Sequence, residues 1–264
     1  MDELIRKDDG QKKEEYEKYE SLLMMRDQLK KEANSIQLAY MKEFGEEVKK
    51  AFEEKLKCIQ KKKAITFCQM ALNKGESVSA EELKEYLEKQ MEEYKKQLED
   101  IIRNANAGKD ATAVSDMQAS KAKRLYRKIA KKLHPDMNPM TEKNEWLQQI
   151  WTSVCYAYEC SNVEELEELN VMADIALEKL GKLDADFEIQ DTFKKIEKAE
   201  KEIEKISSTE PYTYKNLLRN PERVTAKHKE LQGEIAEYRK YAEELEAKLQ
   251  EILEKSGGLT WTII

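Results

Sequence analysis

The sequence predicts an all-α protein, because it is rich in charged and helix-forming residues and poor in residues that break helices. Of the 264 residues, 38% are charged and 40% are apolar, whereas only 8 are Gly and 4 are Pro. Apolar residues also recur at helical or heptad spacing over long stretches. Because so many charges need a large exposed surface, we expect an elongated molecule, with long coiled-coil helices on either side of a central antiparallel helical hairpin.

The N-terminal region, residues 1–110, is predicted to consist of long coiled-coil helices. No proline interrupts residues 12–63, and Gly45 is the only glycine there. This stretch therefore forms either one helix or two helices with a bend near Gly45. A short separate helix is expected at residues 64–72.

A second helix of this region has a recognisable start. Ser79 and Glu82 have the spacing of a capping box, in which each side chain accepts or donates at the first turn. We expect this helix to end near residues 104–116, where Asn, Ala, Gly and Asp accumulate.

The C-terminal region, residues 182–264, is predicted to be helical and to contain a coiled-coil seam. A charged helix is expected at about 185–207, and Asn220 and Pro221 are expected to be the N-cap and first residue of the last helix. Apolar residues of the last helix are spaced 4-3-4-3-4-3, as in a heptad: Leu231, Ile235, Tyr238, Ala242, Leu245, Leu249 and Ile252. This seam needs a partner, either the long N-terminal helix or the same helix of a second copy in a homodimer. The tail, residues 257–264, is expected to form a short strand or an apolar latch.

Composition and charge argue against several classes of function. The formal net charge of −7 disfavours general binding to nucleic acid or to an anionic membrane. No apolar run approaches 18 residues and the first ten residues lack the features of a signal peptide, so we expect a cytoplasmic protein without a membrane span. The four cysteines form no CxxC pair, and we expect reduced thiols with neither a metal nor a cofactor bound: Cys58, Cys68, Cys155 and Cys160.

The central region, residues 111–181, begins with a basic amphipathic helix. Between Met117 and Leu133 there are seven basic residues and no acidic one: Lys121, Lys123, Arg124, Arg127, Lys128, Lys131 and Lys132. Leu125, Ile129 and Leu133 are spaced four residues apart, so the helix is expected to bury one face and expose the basic one. The basic face is either an ordinary solvated surface or a docking surface.

A His-Pro-Asp tripeptide ends the basic helix. Pro135 cannot continue the helix and restricts the residue before it, so His134 and Asp136 are expected to project from a tight, exposed corner. Thr141 is expected to cap the next helix, which is aromatic and covers residues 145–160. An acidic helix follows it.

Residues 115–170 resemble the J-domain family, the DnaJ-like co-chaperones of DnaK-type chaperone ATPases. The stretch "YRKIAKKLHPD" places Tyr126 eight residues and Ile129 five residues before His134, as the family pattern does. The next helix of the family has the pattern aromatic-x-x-aliphatic-x-x-Ala-Tyr. Four residues match it here, and we expect them to pack in the core: Trp151, Val154, Ala157 and Tyr158.

The chain also departs from the family pattern. The short first J helix, with its Tyr-x-x-Leu-Gly signature, is not recognisable, and the helix segment "YKKQLEDII", residues 94–102, is a candidate to pack in its place. Met137 follows the tripeptide where the family often has a basic residue. The Gly/Phe-rich linker and the CxxCxGxG zinc module of other J proteins are absent from the sequence, which indicates a divergent member.

The resemblance implies docking on another protein and no catalysis by this chain. In the family, the basic helix and the loop dock on the acidic surface of the chaperone and trigger ATP hydrolysis there. Carried over by position, the trigger residues are His134, Pro135 and Asp136, and the residues that steer docking are Arg127, Lys128, Lys131, Lys132, Lys123 and Arg124. The expected partners are a DnaK-type chaperone and a client that the sequence does not reveal.

Three alternatives stay open. The tripeptide could simply stop a helix, with Asp136 and Asn138 making hydrogen bonds in a turn. The chain could be a structural or scaffolding coiled-coil protein whose J-like hairpin is inactive. Nucleic-acid binding through the basic helix is the third, although no aromatic residue accompanies the charges on that face; it predicts salt-sensitive binding that survives a change at His134.

Overall fold

The structure is a computed structural model that describes residues 2–110, 115–180 and 192–255, with side chains from residue 14 onward. Every regular element in these ranges is a helix, which confirms the predicted all-α class. In chain order the helices are α1 (Asp2–Lys74), α2 (Ala80–Asp110), α3 (Asp116–Leu133), α4 (Pro139–Lys143), α5 (Glu145–Glu159), α6 (Val163–Lys179), α7 (Thr192–Ser208), α8 (Tyr214–Leu218) and α9 (Pro221–Lys255).

The first helix, α1, is continuous over 73 residues. It passes through Gly45 as one helix, and it includes residues 64–72, so the separate short helix predicted there is wrong. The helix ends where Gly75 adopts a left-handed φ of 75°. The Gly75 N–H donates to the carbonyl of Leu72 at 3.0 Å, which satisfies one of the carbonyls that the helix end leaves without an intrahelical donor.

Two predicted helix starts are confirmed by their capping bonds. The Ser79 hydroxyl accepts the Glu82 N–H at 3.4 Å at the start of α2. At the start of α9, the side-chain oxygen of Asn220 accepts the Glu222 N–H at 2.9 Å. The end of α2 was predicted near residues 104–116, and the helix ends within this stretch, at Asp110.

The chain divides into two compact units, each built from separate stretches of sequence. Unit 1 contains residues 1–34 and 112–212, and unit 2 contains residues 35–111 and 213–264. The helix α1 therefore contributes its first part to unit 1 and its remaining part to unit 2.

Unit 2 buries the predicted seam of α9. The seam residues are buried, or half-buried in the case of Tyr238. Those from Tyr238 to Ile252 cluster with Cys58, Ile65 and Cys68 of α1, whereas Leu231 packs in the cluster around Phe44. The buried Lys61 of α1 donates to the carbonyl of Ala242 at 3.0 Å, which satisfies its ammonium group at this packed surface. The sequence left two partners open for the α9 seam, and in the structure this partner is α1 of the same chain. The tail, 257–264, lies outside the described residues.

Unit 1 contains the predicted basic and aromatic helices. Its core joins α3, α5 and α6, and the largest fully buried side chains are Ile129, Leu133, Leu147, Val154 and Leu166. The first part of α1 adds Tyr19, Leu23 and Met24 to this core, and α7 adds Ile196 and Ala199. The expectation that residues 94–102 pack beside the hairpin is wrong, because Ile101 of that segment packs in unit 2 with the cluster around Phe44.

None of the described helices combines the length and the apolar character that crossing a bilayer requires. The four cysteines lie within the described residues and are free thiols; Cys58 and Cys68 are buried, whereas Cys160 is exposed.

Candidate partner-binding site at the end of the basic helix

The corner formed by residues 134–136 is held by hydrogen bonds of its own backbone. The His134 N–H donates to the carbonyl of Ala130 at 2.8 Å, which closes the last turn of α3. The Asn138 N–H returns to the carbonyl of His134 at 2.8 Å, and the Asn138 amide donates to the carbonyl of Lys132 at the same distance. Hydrogen bonds therefore close both the last turn of α3 and the turn that Pro135 imposes after it.

Asparagines cap the two helices that follow the corner. The Asn138 side-chain oxygen accepts the Met140 N–H at 3.0 Å, and that of Asn144 accepts the Leu147 N–H at 3.1 Å. Thr141 is not a cap, contrary to the prediction. It is 1% exposed, and its hydroxyl has no hydrogen-bond partner.

The structure places His134 inside unit 1, so the expectation of an exposed histidine is wrong. The residue is 4% exposed, and its ring meets the Trp151 ring edge-on with centroids 5.0 Å apart. The Asp136 N–H donates to Nδ1 at 3.1 Å, whereas Nε2 lies 3.5 Å from the Asp27 carboxylate. Nε2 also lies 3.3 Å from Nη2 of Arg26, so both ring nitrogens have polar partners. Asp136 remains half-exposed, with its side chain 40% accessible.

Two charged residues of α1 contact the corner, and the sequence did not predict either of them. Arg26 Nη1 lies 3.3 Å from the Asp136 carboxylate and 3.6 Å from that of Glu202 on α7. Its neighbour Asp27 accepts the Tyr126 hydroxyl at 2.7 Å. The contact with Asp136 joins residues 110 apart in sequence.

The Asp27 carboxylate is strongly stabilised in its charged form. Burial alone would raise its pKa, but the hydrogen bond to His134, the charge of Arg26 and the Tyr126 hydroxyl lower the pKa to about 2. Burial raises the pKa of the Tyr126 hydroxyl, and the negative charge of Asp27 raises it further.

The basic residues of α3 divide between two sides of the helix. Towards α6, Lys121 pairs with Glu167 at 2.7 Å, and Lys132 pairs with Asp174. Towards α1, Lys131 pairs with Glu20 at 2.7 Å. The remaining predicted steering residues lie along the same helix, where Arg124, Arg127 and Lys128 are exposed and Lys123 is half-buried.

The residues that match the J-domain pattern pack together. The rings of Tyr126 and Tyr158 are stacked with centroids 4.1 Å apart, and Trp151 lies 5.7 Å from Tyr126. Val154 and Ala157 are fully buried. Core packing was the prediction for these residues on α5, and it is confirmed for Val154, Ala157 and Tyr158, while Trp151 is half-buried.

The sequence does contain a signal for the α1 contact, although that signal does not identify what α1 packs on. Tyr16, Tyr19 and Leu23 recur at helical spacing within an otherwise charged stretch, and the structure packs all three against the core of unit 1. Such a stripe predicts that a helix face is buried. The residues that it meets lie more than a hundred positions further along the chain.

Comparison with known proteins gives no relative. No family model matches the chain, and neither the curated proteins nor the solved structures include a significant match. Across the part of the chain that the structure describes, no three His, Cys, Asp or Glu side chains are grouped so that they could hold a metal ion.

Proposed function

We propose that this chain is a J-like co-chaperone that docks on a DnaK-type chaperone through α3 and the 134–136 corner and stimulates the chaperone's ATP hydrolysis. The observation that carries the proposal is the position of the His-Pro-Asp corner: it directly follows a basic helix whose Tyr126 is stacked on Tyr158 of the next long helix. The residues that match the family in sequence are thus also neighbours in space.

Electrostatics support docking on an acidic partner. The chain carries a net charge of −7, yet α3 has no acidic residue after Asp116 and exposes Arg124, Arg127 and Lys128. A concentrated positive surface on a negative protein favours fast, salt-sensitive and transient association with a negatively charged partner. Nucleic-acid binding remains the weaker alternative for the same surface.

The burial of His134 favours a second candidate, a structural protein whose J-like hairpin is inactive. A trigger residue that is 4% exposed cannot touch a partner without some rearrangement. In a scaffolding protein the Asp27, Tyr126 and His134 network would be a satisfied polar core, and no partner would be needed to explain it.

Single-turnover ATP hydrolysis by the DnaK-type chaperone separates the two candidates. We expect the wild-type protein to accelerate hydrolysis and His134→Gln to lose most of this effect, at least tenfold at equal concentration. His228→Gln is the matched control, because His228 is the second of two histidines and lies in unit 2, between Glu43 and Glu47. We expect it to behave as the wild type.

Because His134 is part of the core, its replacement could abolish stimulation simply by unfolding the protein. A second variant with a more exposed side chain separates the two causes. Asp136→Asn changes a half-exposed side chain and leaves the ring of His134 in place, so we expect it to lose stimulation as well while retaining the helical circular dichroism spectrum. No acceleration by the wild type over a wide concentration series, or equal acceleration by both variants, would leave the scaffolding candidate.

A further inference from the structure

A segment of α1, residues 16–27, covers the face that the proposed function would use. At one end of this α1 segment, Arg26 lies against Asp136 and Asp27 faces the buried Nε2 of His134. At the other end, Tyr16 packs against the core that contains Ile129. The corner and the last turns of α3 therefore both lie beside one continuous stretch of α1.

The charges of the α1 segment complement those of α3. Glu17 and Glu20 line a groove together with Arg127 and Lys131, and Glu20 pairs with Lys131 at 2.7 Å. A carboxylate of α1 thus occupies the position that an acidic partner would need next to Lys131. Lys131 is the basic residue of α3 that pairs with α1, whereas Lys121 and Lys132 pair with carboxylates of α6.

From this juxtaposition we infer that the α1 segment is an internal competitor of the chaperone: its polar side chains pair with α3 and with the corner until the partner takes their place. The inference rests on the proposed function and adds regulation to it. In the closed form described by the structure, His134 is inaccessible. The competent form is the one in which Arg26 and Glu20 have separated from Asp136 and Lys131.

The contacts of the α1 segment fall into an apolar anchor and a polar cover. Tyr19, Leu23 and Met24 are buried in the core of unit 1 and hold the helix. The polar cover consists of ion pairs in which one partner faces solvent: Lys131 is 60% and Asp136 is 40% exposed, while Glu20 is 18% and Arg26 is 14% exposed. The exposed partner of such a pair can exchange its contact for water or for another charge, so the cover can open while the anchor stays in place.

Removing the cover without disturbing the anchor gives the test. The double variant Glu20→Gln with Arg26→Gln loses the pairs to Lys131 and Asp136. It also loses the contacts of Arg26 with Asp27, Glu202 and Nε2 of His134, and it leaves the net charge unchanged. The matched control is Glu92→Gln with Lys96→Gln, which removes an exposed ion pair of α2 and also leaves the net charge unchanged. All four proteins to be compared, wild type and His134→Gln included, keep the full chain.

The first readout does not involve a partner. Modification of the histidines by diethyl pyrocarbonate is followed by peptide mass spectrometry, with the 31%-exposed His228 as the internal reference. We expect His134 of the wild type to react at least tenfold more slowly than His228, and we expect the cover variant to bring the two rates within a few-fold. Equal rates in the wild type, or an unchanged His134 rate in the cover variant, would overturn the inference.

The second readout is the concentration of this protein that half-saturates the stimulation of chaperone ATP hydrolysis. We expect the cover variant to need at least fivefold less protein than the wild type to reach the same plateau, and the α2 control to match the wild type. If His134 becomes reactive and the half-saturating concentration does not change, the inference falls and the proposed function stands. If neither protein stimulates although His134 has become reactive, the proposed function falls, and the regulation falls with it.

Discussion

His134 is a buried histidine whose two ring nitrogens both have partners. Nδ1 accepts the N–H of Asp136, and Nε2 faces the carboxylate of Asp27. A buried polar ring is tolerated in a core when its donor and acceptor are both satisfied, as they are here. His134 therefore belongs to a buried polar network, in which Asp27 is the negatively charged member.

Asp27 gives the network a dependence on pH that can be measured. Its pKa is lowered from 3.8 to about 2, so the folded state favours the charged carboxylate. A lowered pKa stabilises the fold above the unfolded value and loses this contribution as the pH falls through the folded value. The charged form faces Arg26, Tyr126 and His134, and the shift corresponds to on the order of 2 kcal/mol at neutral pH.

Replacing Asp27 by Asn should remove this dependence. In urea unfolding we expect the wild type to lose on the order of 2 kcal/mol of stability between about pH 4 and pH 2 relative to Asp27→Asn. Tryptophan fluorescence reports on unit 1, because Trp146 and Trp151 both lie on α5, and Trp261→Phe removes the third tryptophan from the signal. Parallel stability curves for the two proteins over this pH range would contradict the assignment.

At the scale of helices, small residues permit a close contact between α1 and α2 in unit 2. A Cβ added at Gly108 would lie 2.7 Å from the backbone nitrogen of Lys42 and 2.9 Å from the carbonyl oxygen of Leu38. Backbone atoms cannot swing away as a flexible side chain does. The same contact brings Gly45 of α1 close to Ala105 of α2, where an added Cβ would meet Ala105 Cβ at 3.0 Å.

Two glycine-to-alanine substitutions isolate this effect. Gly108→Ala should destabilise the protein by about 2 kcal/mol or more, because the new methyl group overlaps with the backbone of α1. Gly233→Ala in α9 is the control, since nothing lies within 4 Å of the added Cβ, and it should stabilise by about 0.5–1 kcal/mol through helix propensity. Thermal and urea unfolding followed by circular dichroism measure both, and equal effects at the two positions would contradict the close contact.

These helices also show what the sequence could predict. The seam of α9 was predictable because heptad spacing and the Asn220 cap are local patterns. In the sequence Gly108 resembles a helix breaker, whereas in the structure it lies inside α2 and permits the close approach of α1. The contact of Arg26 with Asp136 was beyond prediction, because a single sequence records no pairing across 110 positions. The exposure assigned to His134 was wrong for the same reason.

At the scale of the whole molecule, the net charge is negative, but positive charge is concentrated on α3. Lysines and arginines number 47 and acidic residues 54, yet α3 carries seven basic residues and one acidic residue, Asp116 at its start. Three of the seven pair with carboxylates of α1 and α6, so the exposed positive charge lies mainly at Arg124, Arg127 and Lys128. An acidic partner is repelled by most orientations of this molecule and attracted by the one that presents α3.

This asymmetry predicts which lysine controls the rate of association with the chaperone of the proposed function. Lys128→Glu on α3 and Lys95→Glu on α2 change exposed side chains and shift the net charge equally, by −2. We expect Lys128→Glu to lower the association rate constant about fivefold at low salt and Lys95→Glu to have less than half of that effect. Stopped-flow binding measures both.

Ionic strength then distinguishes local steering from net charge. Near 0.5 M salt the Debye length is only about 4–5 Å, so the difference between Lys128→Glu and Lys95→Glu should shrink to less than twofold. Two variants that slow association equally at low salt would show that net charge alone governs the encounter. A difference in association rate that persists in high salt would contradict electrostatic steering as its cause.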